Sequence, residues 1–84
     1  MDPEGLRPLY DSLHRYAGWL DRERAAAMVR SDILALGTAI DACADPTPLL
    51  QVLDTNLARL PGGEVRKMLR ATSAKMRRAV TGQN

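Results

Sequence analysis

The chain has 84 residues, of which 12 are basic and 10 acidic, giving a formal net charge of +2, and it contains one cysteine and no phenylalanine. That length makes one domain and leaves no room for a cleft between two lobes. A lone cysteine excludes an internal disulfide, and no apolar stretch reaches the roughly 18 residues that a membrane span needs.

The pattern is that of an all-α protein, a small bundle of three to four helices folded as antiparallel hairpins. Asp2 as N-cap and Pro3 at the first helical position mark a helix start. Leu6, Leu9, Tyr10, Leu13, Tyr16, Ala17 and Leu20 then fall at the spacing of one helical face, although Gly5 and Pro8 weaken the first turn. This predicts a first helix over about residues 3–18. Gly18 and Asp21 suggest a bend and a new cap before a second helix over about residues 21–44, with continuity between the two left open. The segment Asp45-Pro46-Thr47-Pro48 breaks the chain, and Asp45 or Thr47 can cap a third helix over about residues 47–60, carrying Leu49, Leu50, Leu53, Leu57 and Leu60. Leu60-Pro61-Gly62-Gly63 reverses it into a fourth helix over about residues 63–80, before a short tail that should fray.

The second helix is unusual. Ala26, Val29, Ile33, Leu36, Ile40 and Cys43 alternate steps of three and four, a seam that would bury Cys43 as a small hydrophobe. Its other side, which includes Ala27, Met28, Ser31, Ala35, Thr38, Ala39 and Ala42, is nearly uncharged. A helix so poor in charge is buried on more than one side, as the centre of the bundle or as a dimer interface. A chain of this size buries only about 60 to 65% of its unfolded surface, so a homodimer through this helix would add stability.

Charge is segregated along the chain. Residues 64–84 hold six basic residues and one acidic, whereas residues 1–63 hold six basic and nine acidic. On the fourth helix Val65, Met68, Leu69, Thr72, Met76, Ala79 and Val80 share one arc, and Arg66, Lys67, Arg70, Lys75, Arg77 and Arg78 spread over the other half. Such a basic face attracts phosphates or acidic surfaces, or simply complements the helix dipole and keeps the chain soluble. Leu60, Pro61 and Gly62 resemble the hairpin of the helix-hairpin-helix family of DNA-backbone binders; Gly63 and Glu64 depart from its pattern of an apolar residue and a second glycine. The fourth helix offers neither asparagine nor glutamine to read base edges, so nucleic-acid binding here implies backbone contact.

Catalytic chemistry is thin. Asp11-Ser12-Leu13 spells the triplet found around the modified serine of carrier proteins, but Ser12 lies inside a predicted helix, with Tyr10 where that family has glycine and with no room for its upstream helix and loop. His14 is the only histidine and sits beside the apolar arc; Asp41 and Asp45 are helix-end charges; no residues stand at metal-ligand spacing. The expectation is a non-enzymatic protein without cofactor. Trp19 projects about 120° from the centre of the first helix's apolar arc, where it either anchors a partner or is folded inward by the bend at Gly18, the latter being the slightly better fit. The protein-binding candidates are therefore Trp19, Met28, Ala35 and Ala39, and the basic-face candidates Arg66, Lys67, Arg70, Arg77 and Arg78. Binding to another protein, as a cytoplasmic regulator, adaptor or modulator of a host protein, leads over nucleic-acid binding. Ten of the basic residues are arginine and alanine is frequent, a bias that suits a bacterial or phage genome.

Overall fold

The structure, a computed structural model, describes residues 3–20 and 24–82. It places four helices in these residues: α1 (Pro3–Ala17), α2 (Arg24–Asp41), α3 (Thr47–Leu57) and α4 (Glu64–Thr81). The proposed caps Asp2 and Asp21 lie outside the described residues. Helices α1 and α2 are separate, because Gly18, Trp19 and Leu20 leave the helix through successive bonds to the carbonyls three residues back, at Arg15, Tyr16 and Ala17.

The helices form a ring in which α1 packs on α2 and α4, α3 packs on α2 and α4, and the diagonal pairs come no closer than 8 Å between Cα atoms. Arg7, early in α1, pairs with Asp41 at the end of α2, and Asn56, late in α3, donates to Asp32 of α2. Trp19 and Leu20 line one cleft together with Leu60 to Arg66, so the α1 exit and the α3–α4 turn share one end of the bundle. Neighbouring helices therefore run antiparallel, up-down-up-down. The radius of gyration is 11.8 Å, close to the about 12 Å expected of a compact globule of this length.

The core is aliphatic, as the lack of phenylalanine requires. Leu6, Leu13 and Ala17 of α1 meet Ala26, Val29, Ile33, Leu36 and Ile40 of α2, Leu50, Leu53 and Leu57 of α3, and Leu69 and Met76 of α4. The sets recur at steps of three, four or seven residues, so each helix turns one stripe inward. On α4, Val65 and Val80 are half-buried against this core, Met68 is half-buried and Ala79 is exposed. Gly37 lets α1 approach α2: a Cβ built there would stand 2.5 Å from Tyr10 Oη and 2.7 Å from Cζ.

The end of α2 corrects the expected seam. The helix stops at Asp41, and Cys43 is exposed with φ 55°. Ala44 N–H donates to Ala39 C=O at 2.9 Å and Cys43 N–H to Ile40 C=O at 3.1 Å. These two bonds are the Schellman termination, with Cys43 at the left-handed position that glycine usually fills. Extending the periodicity by one more step fails because the chain has already reversed. Cys43→Gly is expected to raise stability by about 0.5 to 1 kcal/mol by relieving the side-chain penalty there, measured as a shift of the urea midpoint at unchanged slope.

Helix α3 begins at Thr47 behind a buried Pro46, with Pro48 in its first turn. Thr47 donates its hydroxyl (2.7 Å) and its N–H (3.0 Å) to Asp45 Oδ1. The hydroxyl first, then the N–H, holds the Asp45 carboxyl below its usual 3.8. The helix ends at Leu57 rather than at Leu60, since Arg59 and Leu60 close tighter bonds to Asn56 and Leu57. The two connections at this end are fastened alike: Arg30 Nη2 donates to Leu20 C=O at 2.9 Å and Arg66 Nη1 to Leu60 C=O at 2.8 Å.

Candidate functional site

Helix α2 sends Ala26, Val29, Ile33, Leu36 and Ile40 into the core, and its opposite face remains open. At about 100° per residue, Leu34, Ala27, Thr38, Ser31, Ala42, Ala35 and Met28 follow one another across roughly 120° of that face. All seven are exposed. Leu34 on the α1 side is 59% exposed and Met28 on the α3 side 41%, so two large apolar side chains border a strip of small ones. The nearby charges are occupied: Arg30 holds the Leu20 carbonyl, and Asp32 accepts from Asn56 Nδ2 at 2.5 Å. Of the sequence candidates here, Met28 and Ala35 are exposed and Ala39 is half-buried.

Trp19 is 58% exposed. The bend at Gly18 exists, but it leaves the indole outside against Tyr16, ring centroids 5.5 Å apart, instead of folding it onto α2 or α3. The short turn is the reason: Trp19 N–H is bound to Tyr16 C=O, which keeps residue 19 near its helical azimuth. Trp19 lines a shallow cleft of about 180 Å³ with Leu20, Ala26, Pro61, Gly62 and Arg66. A second cleft, about 160 Å³, lies between α1 and α2 with Leu34, Ile33, Ala17 and Gly18 among its walls and His14 and Arg30 at its polar edge. Both are smaller than the roughly 300 Å³ at which small-molecule sites begin.

Sequence periodicity does not single out Leu34 and Val52. Both look like core residues of apolar helices, and a wheel distinguishes them only by angle: Leu34 follows Ile33 by about 100°, and Val52 follows Leu50 by about 200°. Val52, 49% exposed, precedes Asn56 by one turn on the side of α3 that carries the hydrogen bond to α2.

The basic half of α4 divides in two. Arg66 is taken up by the Leu60 carbonyl. Arg77 pairs with Asp54 of α3, which also accepts from the buried Ser73 hydroxyl at 3.1 Å. The Nε of Arg77 is buried with no acceptor among the described residues, and the pairing with Asp54 is made through Nη2. These two cations are half-buried and engaged by the bundle, whereas Lys67, Arg70, Lys75 and Arg78 are exposed. A wheel of α4 has no means of showing partners contributed by α3 and the turn that follows it.

Other candidates stay scattered. Ser12 is half-buried within α1, and His14 is exposed, its ring 6.2 Å from that of Tyr10. Among the described residues no three histidine, cysteine, aspartate or glutamate side chains group to hold a metal, and no helix is long and apolar enough to cross a membrane. No protein-family model, curated protein or solved structure matches the chain.

Proposed function

We propose that the protein acts by binding another protein through the exposed face of α2. The observation that carries this reading is the run of uncharged exposed residues from Ala27 to Ala42, bordered by Leu34 and Met28. Scattered single apolar residues are ordinary on a surface, whereas an uncharged, mostly apolar strip that continues along a whole helix favours an interaction site. The strip is about 22 Å long at 1.5 Å per residue and one helix wide, well short of the roughly 800 Å² per partner of a standard interface. A partner therefore reaches beyond it, to Val52 on one side or toward Trp19 at the end of the bundle. Tryptophan is the residue type most enriched among binding anchors. A regulator or adaptor of bacterial or phage origin fits a small surface of this kind, and so does a homodimer.

A photo-crosslinking residue placed at Leu34 in living cells tests the reading, with the same residue at exposed Thr55 as control. The expected result is a discrete adduct from position 34 alone. Met28→Glu should reduce that adduct by about tenfold or more, the effect of losing an anchor worth ~2 kcal/mol, and change stability by no more than about 0.5 kcal/mol. An adduct of twice the 9.2 kDa chain mass would identify a second copy as the partner. Equal adducts from both positions, or none, would remove the support for the α2 face.

A further inference from the structure

We infer that the exposed face of α4 is a docking surface for the phosphate backbone of duplex nucleic acid. Four cations, Lys67, Arg70, Lys75 and Arg78, are exposed along about 16 Å of helix. They project within about 140° of one another; between Lys67 and Arg78 only Ala71 and Ala74 share that arc, with Glu64 and Thr81 at its two ends. Small residues there let the helix axis come close to a polyanion. Among the described residues no carboxylate lies within ion-pair distance of Arg70, Lys75 or Arg78, and Lys67 meets only Glu64, at 3.8 Å and with both side chains solvated. A duplex carries one charge per about 1.7 Å of axis, so the length of this face spans about ten phosphate charges.

The choice of polyanion follows from what the face lacks. A helix lying in a membrane surface needs large apolar groups on its opposite side to insert, but those of α4, Leu69 and Met76, are fully buried in the bundle. With no asparagine or glutamine on α4, the usual adenine readers are missing, and four solvated cations spread over one helix face suit phosphates, which carry no sequence information. The structure also sets the count. Arg66 and Arg77 project outside this arc, Arg66 with Nη1 on the Leu60 carbonyl and Arg77 paired with the Asp54 carboxylate, so the face offers four cations instead of six. At about 0.9 per phosphate contact, the slope of log K against log salt is then about −3.6, where six cations would give about −5.4.

Fluorescence anisotropy of a short labelled duplex, titrated with the whole chain between about 50 and 200 mM salt, reads this directly. The expected slope is about −3.6, the same for two unrelated sequences. Arg70→Gln/Arg78→Gln should weaken binding at least about tenfold at the lowest salt and bring the slope to about −1.8. Arg7→Gln, which removes a charge beside Asp41 on the far side of α1, should leave the slope unchanged. Far-UV circular dichroism of each variant checks that the bundle is intact. Three results would overturn the inference: no binding at the lowest salt, a double variant that binds like wild type, or polyglutamate or anionic vesicles competing as well as the duplex at equal charge. The α2 face plays no part in this assay, so its outcome is independent of the crosslinking result.

Discussion

Leu53→Ala is expected to lower the stability of the bundle by about 3 kcal/mol, whereas Val52→Ala, one position earlier, is expected to change it by no more than about 0.5 kcal/mol. The two side chains belong to the same helix and differ in size by one methylene. Leu53 is fully buried and Val52 half exposed to water. Helix α3 makes the contrast sharp because it has only 11 residues, too few to persist in water alone. Its existence depends on Leu50, Leu53 and Leu57 docking on its neighbours. For a chain of this length total stability is about 4 to 13 kcal/mol, so the loss at Leu53 is a large share of it. A domain of this size shifts its midpoint by about 4 to 8 °C per kcal/mol. Thermal melts followed by circular dichroism should show a fall of more than about 12 °C for Leu53→Ala and a nearly superimposable curve for Val52→Ala. Similar curves for the two variants would mean that α3 is not packed as described.

Gly37→Leu is the second large effect, a loss of about 2 kcal/mol. A side chain at Gly37 meets Tyr10, whose Oη and Cζ stand 2.5 and 2.7 Å from where its Cβ would lie. The Tyr10 ring has to leave the α1–α2 contact, taking its packing with it. The cause is isolated by a second comparison. In a Tyr10→Ala background the obstacle is gone, and Gly37→Ala then improves stability by up to about 1 kcal/mol through its higher helix propensity. In the wild-type background the same change should give none of that gain. A double-mutant cycle in urea measures the coupling, and a cycle that closes to zero would show that Tyr10 is not what Gly37 accommodates.

What the sequence reveals and what it hides divide along one line. The buried seam of α2, from Ala26 to Ile40, is legible because burial of one stripe imposes a local period, and the breaks at Pro46 and Gly63 are legible because proline and glycine act on their own neighbours. The errors arise where particular hydrogen bonds and ion pairs, which periodicity does not encode, decide. Arg66 and Arg77 read as solvent cations until the Leu60 carbonyl and the Asp54 carboxylate claim them. Cys43 reads as the next step of a seam until the helix terminates two residues earlier. Trp19 stands out from its angle alone, but whether the turn carries it inward depends on the bonds made by Gly18 and its neighbours. Of the surfaces, the composition of the α2 and α4 faces can be read directly; Leu34 and Val52 cannot be told from core residues by type.

The diagonal placement of α2 and α4 also bears on how the chain can change over time. No Cα of one comes within 8 Å of a Cα of the other, their exposed faces lie on opposite sides of the shared core, and substitutions more than about 7 to 10 Å apart with no common partner act additively. Mutations on the uncharged face therefore leave the basic one energetically untouched, and the reverse holds. Each surface is free to drift, strengthen or decay under its own selection, without compensating changes in the other.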